Sequence, residues 1–290
     1  MLWQNLLPGE FDEAVQRSKR LCIIPLGAME VHGSHLPLGC DAFQGVEFIT
    51  RAAEQEDVVL FPGAPYFGDM SGAIGGGNIA FPLQVIRDIL EASCDACYQN
   101  GFKKILLITS HGGNQALAGS FVREMFGKRK NYAVYHFHQN FPKVGDIIDE
   151  REKFPYLTDE DIAVVQDFLD QGKINAHGGF IETAWLYHIC PELVRLDKFG
   201  ELDGSSTHLF DEFQRLKIKS PLIWSGSYLN AFEGDSHPGI NERIARAYAE
   251  KTIATTAEVI RFVKNETVSL EQFAKYQDKL RQHKAKLESL

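Results

Sequence analysis

Two hydrophobic rhythms alternate along this chain. Short apolar stretches at Leu21–Leu26, Val58–Phe61, Lys104–Ser110 and Tyr132–His138 have strand length, and the first and third are apolar almost throughout. Such runs mark strands buried on both faces of a parallel sheet. Between them the spacing turns helical. Phe11–Lys19 predicts a short helix. The run after Asp41 predicts another, with Val46, Ile49 and Ala53 on one face. Pro82 opens a third, carrying Ile86, Leu90, Cys94 and Cys97 at helical intervals until Gly101 stops it. Helices are further expected at 115–126, after the Thr158/Asp161 capping pair, from Phe180, over Asn241–Lys264 and, charged and peripheral, over Leu270–Leu290. The segment Pro65–Asn78 is glycine-rich and predicts a loop able to line or cover a pocket. Asn140–Pro155 and Ser225–Pro238 also read as loops, while Leu196–Pro221 has no clear period. Strands alternating with helices predict one α/β domain over residues 1–290, a three-layer α/β/α fold with a mostly parallel central sheet.

Composition narrows the class. The chain has 290 residues, 44% hydrophobic and 24% charged, as expected of a soluble globular protein able to bury a substantial core. Its formal charge of -9 argues against nucleic acid as a partner. No segment approaches the ~20 apolar residues of a membrane span, and the start has neither a basic leader nor a signal-length apolar run. The five cysteines, Cys22, Cys40, Cys94, Cys97 and Cys190, are too sparse for a disulfide framework, so a cytoplasmic enzyme with reduced thiols is expected. Cys94 and Cys97 form a CxxC, but their place on an apolar helical stripe reads as core packing.

Candidate chemistry gathers where strands end. Directly after Leu21–Leu26, the stretch to Asp41 presents Glu30, His32, His35 and Asp41 among glycines and prolines. In extended backbone, residues two apart share a side, so Glu30 and His32 face one pocket. The KILLITS strand runs into His111-Gly112-Gly113-Asn114, again at a strand's carboxyl end, where ligands collect in open α/β sheets. His136 and His138 share a face of the last strand. His177 precedes two glycines, with Glu182 in the first turn of the next helix. Glu233, Asp235 and His237 read as loop residues. Mixed histidine and carboxylate donors suit Zn, Mn or Fe in a hydrolytic site. Each group also has a plain structural reading: Asp41 as a helix N-cap, His111 as a cap, Glu182 as a partner of a helix dipole.

EVHGSHLPLGCD resembles the E-x-H-G-x-H-L-P-x-x-x-D signature of the creatininase (creatinine amidohydrolase) family. HGGN at His111–Asn114 and HGGFIET at His177–Thr183 resemble its later motifs in the same order, and EGDSHPG near Glu233 does so more loosely. The resemblance implies a metal-dependent amidohydrolase with two divalent ions per subunit, a small polar cyclic substrate and a homo-oligomer such as a hexamer. By position it implies Glu30 and His111 on one ion, His32 on the other and Asp41 bridging them, with a hydroxide held between the ions as nucleophile. His177 corresponds to the histidine that moves a proton in ring opening. His35 and Asn114 are expected to touch substrate or orient ligands. The chain departs from creatininase at Gly113, where the family motif carries a ligating Glu, and Glu182 is the remaining carboxylate for that ion. The 140–175 region has no tryptophan, where the family's substrate-contacting tryptophans are expected. Three functions are therefore carried forward: a hydrolase of a cyclic amide or formamide C–N bond, a hydrolase of a cyclic ketone or lactone-like sugar derivative of inosose type, and a non-catalytic metal-binding subunit.

Overall fold

The computed structural model describes residues 1–62 and 67–288. Its sheet has the order β2-β1-β3-β4, from β1 (Leu21–Leu26), β2 (Val59–Leu60), β3 (Lys104–Thr109) and β4 (Ala133–His138), and every pairing is parallel. The helices are α1 (Phe11–Arg17), α2 (Cys40–Gln55), α3 (Leu83–Gln99), α4 (Asn114–Gly127), α5 (Asp146–Asp149) and α6 (Asp159–Asp170). They continue with α7 (Phe180–Ile189), α8 (Asp211–Arg215), α9 (Pro221–Ser227), α10 (Glu242–Asn265) and α11 (Val268–Glu288).

The continuous apolar runs are explained by two cores, one on each face of the sheet. Leu21, Ile23, Leu106 and Ile108 pack with Phe48 and Ile49 of α2, Trp185 of α7 and Tyr248 of α10. Their chain neighbours Cys22, Ile24, Leu26, Ile105 and Leu107 point the other way, onto Ile86 and Leu90 of α3 and Leu117 and Phe121 of α4. Alternate residues of β1 and β3 thus feed opposite cores, which leaves little room for charge in the central strands. The exception is Lys104, whose Nζ donates to the carbonyls of Val263, Lys264 and Glu266 at 2.6, 2.7 and 3.0 Å. It is a charged cap on the carbonyl end of α10, where helix dipole and orphan acceptors both favour a cation.

Several local expectations shift. α2 begins at Cys40, with Gly39 as N-cap, so Asp41 lies in the first helical turn rather than capping it. The buried stripe of α2 runs through Ala42, Gly45, Phe48, Ile49, Ala52 and Ala53, and Val46, off that stripe, is 38% exposed. The capping pair forms as expected: Thr158 Oγ1 accepts from Asp161 N–H, and Asp161 Oδ2 accepts from Thr158 N–H at 2.9 Å. Cys94 and Cys97 are fully buried free thiols. Of the Pro65–Asn78 loop, Pro65 and Tyr66 lie outside the described residues, as do Ser289 and Leu290 of the helix expected over Leu270–Leu290. Among the described residues no helix is long and apolar enough to cross a membrane.

Candidate metal centre

The carboxyl ends of β1 and β3 lie side by side, with Leu26 paired to Thr109, so the chain leaving each strand enters the same space. From β1, the backbone carries Glu30 and His32 inward and is pinned on both sides. Glu30 N–H donates to Leu38 O, and Val31 N–H donates to Asn78 Oδ1 of the glycine-rich loop. From β3 comes His111, from the first turn of α2 comes Asp41, and from the first turn of α7 comes Glu182. All five side chains are buried: Glu30 6%, His32 0%, Asp41 2%, His111 6% and Glu182 3% exposed.

Their geometry is that of a ligand cage. Donor atoms of Glu30, Asp41 and His111 lie within 4.8 Å of one another, as do those of His32, Cys40 and Glu182. His32 Nδ1 lies 3.0 Å from Glu30 O, and since a carbonyl only accepts, Nδ1 carries the proton there. Its Nε2 then faces Asp41 Oδ1 at 3.6 Å and Glu182 Oε2 at 3.7 Å and makes no hydrogen bond. Those gaps are too long for N–H···O bonds. They are close to the ~3.3–3.4 Å edges of a tetrahedron whose metal–ligand bonds are ~2.0–2.1 Å. Asp41 Oδ2 and His111 Nδ1 are likewise buried without partners. The orphaned His32 Nε2, facing the Asp41 and Glu182 carboxylates in a buried site, fits a divalent cation, whose charge offsets the cost of burying such groups.

The electrostatics agree. Burial opposes the charge on each group, but the neighbours prevail. Against burial, the carboxylates of Glu182 and Asp41 hold His32 well above the usual imidazole range, and Glu30 holds His111 at about 9. Despite burial, His111 and His177 keep Glu30 down at about 2, and His32 does the same for Glu182. Burial pushes the Cys40 thiol up to about 12. The Glu30 Oε2–His111 Nε2 distance of 3.0 Å is a direct ion pair.

His177 stands at the rim. Its Nε2–H donates to Val31 O at 2.8 Å, which leaves Nδ1 facing Glu30 Oε2 at 3.9 Å, and its ring lies 4.0 Å from that of His32. Gly178 N–H donates to Glu182 Oε2 at 2.7 Å, so the His177 loop and the α7 carboxylate are one unit. His35 is 2% exposed; Nε2 lies 3.0 Å from Thr183 Oγ1, while Phe199 and Phe232 meet its ring edge-on, and burial lowers it to about 4. Asn114 is fully buried behind the cage. His136 and His138 both bond Thr109 Oγ1, at 2.9 and 3.0 Å. Asp235 accepts from Ile174 N–H, and His237 pairs with Asp167, so both support the loop before His177.

Gly113 shows why the cage is closed from α7. A Cβ there would lie 2.5 Å from Asp69 O and 2.7 Å from His111 Cε1, so this backbone admits no side chain. Sequence reasoning missed three residues. Gln44, 1% exposed, donates from Nε2 to Asp41 Oδ1 at 3.1 Å and could have been found one helical turn after Asp41. Cys40 adjoins Asp41 but was counted only among the thiols. Trp224 of α9 sets its ring edge-on to His177 at 5.2 Å, with Nε1–H donating to Glu233 Oε2, and no sequence signal announces that contact.

Comparison with known proteins supplies the context. The chain is similar to a creatinine amidohydrolase of Pseudomonas putida, 22% identical over 225 residues, covering 73% of this chain and 80% of that one. A creatininase glutamate-to-glutamine variant of Zn-Zn type superposes with a TM-score of 0.66 at 18% identity, covering 91% of this chain and 98% of its own. A creatininase described with Mn gives a TM-score of 0.64 at 18% identity, covering 91% and 99%. Those likenesses establish the fold. The sequence pattern of the creatininase family, creatinine amidohydrolase, matches residues 5–264, and on that match the chain belongs to this family.

Proposed function

We propose that this protein is a metal-dependent hydrolase that opens a cyclic amide or cleaves a formamide C–N bond. Glu30, Asp41 and His111 would hold one divalent ion, Zn, Mn or Fe, and His32, Asp41 and Glu182 would hold a second. The observation that carries this reading is the orphaned, fully buried His32 Nε2 facing Asp41 and Glu182, beside an Asp41 oxygen that also lacks a partner. When bound, such ions supply Lewis-acid activation of a carbonyl and of water near neutral pH.

The chain's own residues do the remaining work. The hydrogen bond to Val31 O fixes the His177 ring and leaves Nδ1 free on the side of Glu30. From there it holds a proton and delivers it to the departing nitrogen, the general-acid role that ring opening requires. Glu182, held by Gly178 N–H, fixes the His177 loop against the ligand cage. Trp224 gives the rim a flat apolar wall, suited to a planar cyclic substrate. His35, through Thr183, and Asn114, behind His111, orient the frame.

The test begins with metal content. Elemental analysis of purified protein is expected to find about two divalent ions per chain, both lost in Asp41→Ala; unchanged content in that variant removes the bridging role. Metal-loaded protein is then screened against cyclic amides, formamides, lactones and inosose-type ketones, read as the mass gain of one water. His177→Ala is expected to keep its metals and lose turnover on the substrate found. Turnover confined to the ketones or lactones would replace the amide reading, because no nitrogen then leaves.

A further inference from the structure

Among the potential metal ligands of the buried cluster, Cys40 is the group to which the reading above gives no task. It is the first residue of α2, fully buried, directly before Asp41. Its Sγ lies within 4.8 Å of a His32 nitrogen and a Glu182 oxygen, themselves within that distance of each other. Part of the residue borders the apolar core, which is how a buried cysteine commonly serves. The facing groups are what set it apart. His32 Nε2 is buried and makes no hydrogen bond, so a fully buried donor is aimed at the space that Cys40 helps enclose.

We propose that Cys40 Sγ is a direct ligand of the ion held by His32 and Glu182. The inference rests on the two-ion reading and divides the two positions by chemistry. The His32 side gains a soft thiolate beside one imidazole and two carboxylates, a set that selects zinc over manganese. The Glu30–Asp41–His111 side has only nitrogen and oxygen donors and accepts either metal. The division extends to coordination. With Cys40 counted, the first ion has four protein donors, a closed set, while the second has three and keeps an open position for water or substrate. On binding, the thiol gives up its proton to solvent and sulfur donates the electron pair to the ion, with no change of oxidation state.

Spectroscopy of the full-length holoprotein tests this without reference to turnover. Cobalt(II) is loaded into metal-free protein and bound cobalt is counted. A thiolate ligand is expected to give a near-ultraviolet sulfur-to-cobalt charge-transfer band, absent in Cys40→Ser and unchanged in Cys190→Ser. Zinc-loaded parent protein, in which no residue is altered, is expected to show a zinc–sulfur shell at ~2.3 Å by X-ray absorption. In manganese competition the parent should retain one zinc per chain, and Cys40→Ser should lose that retention. Bound metal with neither the band nor the sulfur shell in the parent overturns the Cys40 assignment and leaves the two-ion reading standing. A band that persists in Cys40→Ser also overturns it. Failure of the parent to bind any ion overturns both.

Discussion

Asn114 offers a quantitative test of how the site is held. Its side chain is fully buried where β3 passes into α4 and joins three segments. Oδ1 accepts from Asp69 N–H at 2.8 Å, and Nδ2 donates to Gly27 O at 3.0 Å and, more weakly, to Leu26 O at 3.4 Å. Asn114→Ala removes all three bonds and leaves the Gly27 carbonyl and the Asp69 amide without partners. A stranded buried group costs about 1–3 kcal/mol. Gly27 O is deep and takes the upper part of that range, while the Asp69 segment is half-buried and open to water, so it takes the lower part. The expected loss is about 3 kcal/mol. Urea denaturation followed by circular dichroism measures it as a lowered midpoint at unchanged slope. Asn114→Asp separates the two halves of the effect. It keeps the acceptor for Asp69 N–H but sets a carboxylate oxygen against Gly27 O, and should be at least as destabilising as Asn114→Ala. A loss under about 0.5 kcal/mol in Asn114→Ala, the range of ordinary surface substitutions, would refute the reasoning.

Three further outcomes follow from the same geometry. Gly113→Ala places a Cβ 2.5 Å from Asp69 O, so it should cost about 1–3 kcal/mol by overpacking and lower metal content by displacing His111; calorimetry and elemental analysis read both. Lys104→Met keeps the stem but strips three carbonyls at the end of α10 of their charged donor, with an expected loss of about 2 kcal/mol in the same denaturation assay. Asp161 is 1% exposed and is held at about 2 by Arg243, Thr158 N–H and Asn241, which outweigh its burial. A depressed carboxylate contributes its stability above the unfolded value and loses it as pH falls, so Asp161→Asn should cost about 2 kcal/mol at neutral pH. That difference should shrink as pH falls from about 4 toward about 2, and a constant difference across that window would show that charge is not its source.

What the sequence disclosed and what it withheld divide along one physical line. Glu30, His32 and Asp41 were legible because a strand and the ten or so residues after it are local: the strand's apolar run fixes where the chain enters, and period-two geometry fixes which side chains share a face. His111 and Glu182 were legible for the same reason, each standing a residue or two beyond an element boundary. The α2 boundary was misplaced by two residues, and that was enough to hide Cys40, since a thiol counted as part of a loop gives no hint that helix geometry turns it toward His32. Trp224 was hidden more deeply. It sits in a stretch whose short helix α8 buries nothing and whose Leu209, Leu222 and Leu229 are more than 60% exposed, so no hydrophobic period exists to predict where it folds. Its position comes from single long-range bonds: Ser225 Oγ–H to Gly72 O, Trp224 Nε1–H to Glu233, and Glu233 N–H to His177 O. Those bonds tie the glycine-rich loop, α9 and the His177 loop into one rim. Glu30, His32 and His111 are therefore set by the ends of neighbouring parallel strands, whereas the proposed substrate wall is set by long-range contacts between loops. Substitutions in α9 should accordingly change which substrate is accepted while leaving metal content untouched.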